Sequence, residues 1–241
     1  MKEQFMREAI VLGADAVNSL SGKQVAVFGL GGVGGYAVEA LARAGVGALW
    51  LIDGDKLTIT NLNRQILALS STVGLYKTEV AKNRVLDINP DCNVKITTEF
   101  FTPKNANDFD FSNVDYIIDA IDTVKCKTEL IAKAYAENIP IISAMGAGNK
   151  VDPTAFKVAD IYKTDVCPLA KIMRHELRKR NIKKLKTVYS PELPVTPDTD
   201  ALAVTKDIDG GRVAGSTSFV PPVMGLIMAG EVIKDLTKGA I

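Results

Sequence analysis

Along the first two thirds of the chain, short apolar runs alternate with longer stretches that end on helix stop signals. The pattern predicts strands over residues 24–29, 48–53, 93–98, 115–119 and 140–144, with helices over 33–44, 76–89 and 124–138 between them. Gly45 closes the first helix and Pro90 follows the second, as helix ends require. Tyr116-Ile-Ile and Pro140-Ile-Ile are apolar without interruption, which fits a parallel sheet covered on both faces. Right-handed crossovers between such strands bring ligands to their carboxyl ends.

The last third is less regular. Residues 147–165 are expected to add strands running against the parallel set, followed by a basic helix near 168–180, a strand near 186–190 and a loop rich in Pro and Asp. Thr196 to Gly215 has weak periodicity and is expected to be mobile. Phe219 to Ile233 is apolar but contains two prolines and Glu231, so it reads as a core or interface helix and not a membrane span. The expected architecture is α/β: a mainly parallel central sheet extended by antiparallel strands, with helices on both faces.

A length of 241 residues suits one large α/β domain. The formal charge of +1 gives no global field that would point to nucleic acid. Three unpatterned cysteines suggest a reducing compartment, and the N-terminus lacks the apolar core of a signal peptide. Both features lead to the expectation of a cytoplasmic protein.

Candidate chemistry begins at Lys23-Gln-Val-Ala-Val-Phe-Gly-Leu-Gly-Gly-Val-Gly34. A β-branched strand runs into Gly29, Gly31, Gly32 and Gly34, and a helix follows. That arrangement brings backbone N–H groups and a helix N-terminus against phosphate. Asp53, at the end of the second strand, is placed to accept hydrogen bonds from a ribose. Glycine-rich turns also close ordinary strand-to-helix connections, and an NAD site is the default guess for this fingerprint. The next segment argues against NAD. Asp53-Gly-Asp55 leads to Asn61-Leu-Asn63-Arg64-Gln65, and Gly74-Leu-Tyr-Lys77 follows. Arg64 offers a planar fork and Lys77 a point charge, groups that stabilise charge on departing pyrophosphate. Taken singly, either cation reads equally as a solvated surface residue.

Together, Gly29 to Gly34, Asp53-Gly-Asp55, Asn61 to Gln65, Lys77 and Asp119-Ala-Ile-Asp122 resemble the ubiquitin-activating-enzyme-like superfamily. The likeness runs from Gln4-Phe-Met-Arg7 to the Gly225-Leu-Ile-Met-Ala-Gly-Glu-Val-Ile helix. Asn63-Arg-Gln-Ile, Ile121-Asp-Thr-Val-Lys-Cys-Lys, Gly146-Ala-Gly-Asn-Lys-Val-Asp-Pro-Thr and Pro168-Leu-Ala are most similar to its branch of tRNA threonylcarbamoyladenosine dehydratases. The resemblance implies a Rossmann-like adenylation domain over 1–241, with a helical arm at 1–22, a nucleotide-binding core at 23–146 and substrate-side or dimer elements at 147–241. It implies ATP and Mg²⁺ as cofactors and a tRNA substrate. ATP would be held by Gly29, Gly31, Gly32, Gly34, Asp53, Asp55, Asn61, Asn63, Arg64, Gln65, Lys77, Asp122 and Thr123. Arg64, Lys77, Asp122 and Arg7 would be catalytic, Asp122 binding Mg²⁺ and Arg7 acting in trans within a homodimer. A sulfur-transfer protein is a further partner drawn from the same likeness. Two plainer readings stay open: Asp122 as a helix cap, and Arg7 as an exposed arginine.

Carrier-activating relatives hold zinc between two Cys-x-x-Cys pairs, but Cys92, Cys126 and Cys167 lie too far apart for that, so no zinc is expected. The segment Ser190 to Asp200 also lacks the catalytic cysteine of such relatives, and Cys167 is expected to be a small buried hydrophobe. Lys171 to Lys186 holds eight basic residues against Glu176 alone, leaving the rest of the chain net negative. Lys171, Arg174, Arg178, Lys179 and Lys183 are therefore candidates to contact tRNA, against the commoner case of a solvated helix face. The rival functions are adenylation of the Gly-Gly terminus of a sulfur-carrier protein and a non-catalytic nucleotide-binding module.

Overall fold

The structure, a computed structural model, describes residues 2–201 and 214–237. Seven strands form one sheet: β1 (Gln24–Phe28), β2 (Ala48–Ile52), β3 (Asn93–Thr97), β4 (Tyr116–Asp119), β5 (Ile141–Ala144), β6 (Lys157–Asp160) and β7 (Lys186–Tyr189). Their order is β3-β2-β1-β4-β5-β7-β6. All pairs are parallel except β6 against β7, so residues 147–165 contribute one antiparallel strand, at the sheet edge.

Helices α1 (Met6–Leu12) and α2 (Ala14–Leu20) precede the sheet. Then come α3 (Gly34–Arg43), α4 (Lys77–Ile88), α5 (Val124–Ala136), α6 (Pro168–Lys179) and α7 (Val220–Leu236). Gly45 takes a positive φ just past α3, the left-handed conformation in which helices commonly end. Residues 202–213, within the stretch expected to be mobile, lie outside the described residues.

The uninterrupted apolar strands are buried on both sides. Along β1, Val25 and Val27 enter a core with Ala37, Leu41, Met224 and Met228 of α3 and α7. Ala26 and Phe28, on the opposite face, join Trp50, Phe101, Phe109 and Phe111 under α5. A third cluster, including Met173, Leu177 and the buried Cys167, fixes α6 beside β6 and β7.

Glu231 and Asp235, the two acidic residues of the apolar α7, both face Lys186 of β7, at 2.9 Å and 2.7 Å. Burial alone would raise the Glu231 carboxyl, but Lys234 and Lys186 outweigh it and hold the group below the usual carboxylate range. Tyr116 of β4 donates to Asp235 at 2.7 Å, tying α7 to two strands.

Candidate active site

The turn after β1 is built for close approach. Gly29 has φ +86°, and a Cβ there would lie 2.7 Å from the Ala120 carbonyl oxygen. A Cβ on Gly34 would lie 1.8 Å from the Gly29 carbonyl oxygen, so only glycine lets α3 start so near the strand. No side chain caps the α3 N-terminus; the Gly35 N–H donates to the Gly31 carbonyl at 3.0 Å, and the other N–H groups of the first turn are open to an anion. Gly34→Ala is expected to lower the unfolding free energy by about 1–3 kcal/mol through overpacking and to weaken nucleotide binding. Denaturant titration and calorimetric binding check both, and unchanged binding would show that the loop yields.

Asp53 is buried at the end of β2. Its carboxylate accepts the Leu30 N–H at 2.7 Å and the Asp55 N–H at 2.8 Å, so it ties together the turns after β1 and β2. Burial raises its pKa, outweighing the opposing pull of Lys77 and the two backbone donors. Two oxygens with several lone pairs leave acceptor capacity for a ribose hydroxyl.

Lys77 is the first residue of α4, where the helix dipole disfavours a cation. Carboxylates offset this: its ammonium lies 2.7 Å from Asp55 and 3.8 Å from Asp53, and its side chain is buried. Asp55 is exposed, so the pair opens on one side to solvent.

The short 3₁₀ turn Ile59–Asn61 presents the remaining amides and Arg64. Asn61 is a cap, its Oδ1 accepting the Thr58 N–H at 3.2 Å. Asn63 Nδ2 donates to the Ser216 carbonyl at 2.9 Å, bringing the chain before α7 onto this turn. Arg64 Nη1 donates to Thr60 O and Asn63 Oδ1, each at 2.8 Å. The Arg64 stem lies against the glycine turn: a Cβ on Gly32 would meet its Cγ at 3.4 Å. Gln65 is buried beside Gly31, and its Oε1 is the buried side-chain atom among the described residues that lacks a hydrogen-bond partner.

Asp122 and Thr123 are exposed in the loop joining β4 to α5. Thr123 is the α5 N-cap residue and no side chain caps the helix, so Asp122 does not serve as the cap. Its Oδ1 accepts from the Thr123 hydroxyl at 3.2 Å. Among the described residues, no three His, Cys, Asp or Glu side chains converge as a metal site. A lone carboxylate still suits Mg²⁺, which takes one or two carboxylates and completes its shell with phosphates and water.

Arg7 is exposed on α1, away from any described partner group that would fix its role. The basic segment divides. Arg174 donates to the Thr164 carbonyl at 2.9 Å and anchors α6, and Lys179 pairs with Glu176 at 2.7 Å. Arg178 is exposed with its guanidinium 5.2 Å from the Tyr162 ring centroid, while Lys171 and Lys183 are also exposed.

One buried charge beside the site is not singled out by the sequence reading. Lys127 is wholly buried, 2.8 Å from Asp119. The signal was its place in the inward stripe Val124, Lys127, Thr128, Ile131, where a lysine demands a buried partner.

A model of the ThiF family matches residues 4–240. The tRNA threonylcarbamoyladenosine dehydratase of Bacillus subtilis (strain 168) is 44% identical, the match covering 99% of this chain and 96% of that protein. The crystal structure of the E. coli tRNA N6-threonylcarbamoyladenosine dehydratase in complex with ATP has a TM-score of 0.88 at 35% identity, covering 99% of this chain and 95% of that one. The sulfur carrier protein ThiS adenylyltransferase of Escherichia coli (strain K12) is 33% identical, over 60% of this chain and 57% of that protein. No helix among the described residues is long and apolar enough to cross a membrane. A glycine turn, an acidic strand end and an Asn-Arg-Gln turn on one sheet edge thus agree with the match along nearly the whole length: this chain belongs to the ThiF family.

Proposed function

We propose that this chain is an ATP-dependent, AMP-forming enzyme that dehydrates N6-threonylcarbamoyladenosine in tRNA. The observation that carries the reading is the packing of Arg64 and Gln65 directly on Gly32 and Gly31, with Lys77 and Asp53 at the neighbouring strand end. Cations beside a phosphate loop serve transfer of a nucleotidyl group, whereas hydride transfer has no use for them. The relatives that match nearly the full chain carry this activity in their names, and the carrier-activating relative aligns over only part of it.

ATP would lie with its triphosphate over Gly31, Gly32 and Gly34, its ribose on Asp53 and a donor group against Gln65 Oε1. The threonyl carboxylate of the modified adenosine attacks the α-phosphorus, and the bond to the bridging oxygen breaks. An acyl-adenylate forms and pyrophosphate leaves. Arg64 meets the developing charge with its fork, and Lys77 exchanges Asp55 for phosphate oxygens. The carbamoyl group of the same nucleoside then attacks the activated carbonyl, AMP departs and a ring closes, with net loss of one water. The second nucleophile is already tethered, so no enzyme thiol is required. Asp122, with Thr123 beside it, is the group that would hold Mg²⁺, which when bound neutralises charge on the triphosphate. Asn61 and Asn63 act by shaping the Arg64 turn.

In this reading the chain works as one adenylation domain, with arm 1–22, core 23–146 and substrate-side elements 147–241, in the cytoplasm. It acts as a homodimer in which Arg7 of the partner subunit completes each site. The arm supports this, because Met6, Ile10 and Val11 of α1 are 52%, 84% and 79% exposed beside Arg7, an apolar surface suited to a second copy. Mixing inactive Arg7→Ala with inactive Asp122→Ala protein is expected to restore activity through mixed dimers with one complete site. No recovery would refute action in trans. Lys171, Arg178 and Lys179 of α6, with Lys183 just past it, would face tRNA phosphates, Arg174 fixing the helix, and binding would weaken steeply with salt. A sulfur-transfer protein remains part of the proposal as an activating partner.

The deciding experiment supplies Mg-ATP and tRNA bearing threonylcarbamoyladenosine, then weighs the digested nucleosides. Loss of one water with AMP formed is the expected result. An unchanged nucleoside, with ATP–pyrophosphate exchange on a Gly-Gly carrier, would move the chain to the carrier-activating branch.

A further inference from the structure

The sheet holds an ion pair that the reaction above does not use. Asp119 ends β4 and Ser143 lies opposite it in the parallel register of β5. Lys127 reaches down from α5, its ammonium 2.8 Å from Asp119 Oδ2 and 3.1 Å from Ser143 Oγ. The Ser143 hydroxyl donates to the same Asp119 oxygen at 2.7 Å, and the Lys127 and Asp119 side chains are both 0% exposed. Replacing such a triad with apolar side chains is often neutral or stabilising, so its presence is poorly explained by stability alone.

The geometry does more than pair charges. The other Asp119 oxygen accepts the Ile121 N–H at 3.2 Å, fixing the first peptide of the loop that carries Asp122. The same loop abuts the glycine turn, with the Ala120 carbonyl oxygen 2.7 Å from where a Gly29 Cβ would stand. Lys127 therefore holds Asp119, Asp119 holds Ile121, and Ile121 sets the backbone of Asp122.

We propose that Lys127 is a positioning residue for the Asp122 loop, orienting the metal-binding carboxylate through Asp119. This rests on the reading of Asp122 as the Mg²⁺ ligand. An ammonium with two buried acceptors fixes orientation in a way that a methionine of similar length cannot.

The test compares Lys127→Met, Lys127→Arg and Asp122→Ala by calorimetric ATP binding over a Mg²⁺ series and with EDTA, and by hydrogen exchange of the 121–123 amides. Folded Lys127→Met is expected to require about 10–100-fold more Mg²⁺ for ATP binding, as for loss of a group supporting a metal ligand. Metal-free ATP binding should be unchanged, exchange at 121–123 should quicken, and Lys127→Arg should recover part of the loss. Should Lys127→Met not fold, Ser143→Ala, which keeps the ion pair, is expected to shift the Mg²⁺ requirement in the same direction by a smaller factor. Wild-type Mg²⁺ dependence in folded Lys127→Met, or in Ser143→Ala where that stands in, overturns the proposal, provided Asp122→Ala has lost it. If Asp122→Ala itself keeps wild-type dependence, the assignment of Asp122 fails instead, and this inference with it.

Discussion

Arg64→Ala is expected to slow turnover about 10²–10³-fold with the fold intact, the size that follows when one charge-stabilising donor is removed from a preorganised site. The structure gives the reason for both halves of that result. The guanidinium is held by Thr60 O and Asn63 Oδ1 beside the glycine turn, so it is oriented before any ligand arrives. Its stem covers Gly32 at the site's rim and not in the core, which limits the stability cost. Arg64→Lys separates fork from charge: it should recover little of the lost rate, because a lysine cannot reproduce two parallel donors. Turnover by quantified AMP release, with thermal unfolding as the control, decides the matter. Normal turnover in Arg64→Ala would remove the residue from the mechanism.

Asp122→Ala should be more severe, on the order of 10³-fold or greater, because several kcal/mol of charge neutralisation depends on that carboxylate. Two roles for Asp122 were open in the sequence, and they predict different phenotypes. Loss of a helix cap costs about 0.5–2 kcal/mol of stability and little chemistry. Loss of a metal-binding oxygen costs rate and leaves stability within about 0.5 kcal/mol, as for an exposed side chain. The structure speaks against the first outcome, since α5 has no side-chain cap and Asp122 is exposed. Denaturant unfolding and Mg²⁺-dependent ATP–pyrophosphate exchange on the same protein separate the two. A destabilised but active variant would return Asp122 to the cap role.

Most of the candidate nucleotide site was legible because its logic is local. Gly29 is required by its positive φ and Gly34 by the Gly29 carbonyl five residues back, and Asp53 follows one strand later at the carboxyl end of the neighbouring strand. Asn63, Arg64 and Gln65 sit on a single turn, so their sequence cluster is also a spatial one. The basic segment was less transparent. Eight positives between Lys171 and Lys186 suggested one surface, yet Arg174 bonds to Thr164, Lys186 pairs with Glu231 and Asp235, and Arg180 lies 2.8 Å from Glu129. Partners from distant segments decide which charges face outward, and composition alone cannot name them.

The sequence by itself determined the alternation of strand and helix, the parallel character of the core strands and the tight glycine turn, because each follows from short-range periodicity and steric need. Only the tertiary structure decided that β7 inserts between β5 and β6, and that Ser143 stands opposite Asp119 with Lys127 above them. Those outcomes depend on which strands pair and in what register, a balance of non-local contacts against chain entropy that no local pattern records. The glycine turn could be read from its own residues; the buried lysine acquires meaning only when three separate elements meet.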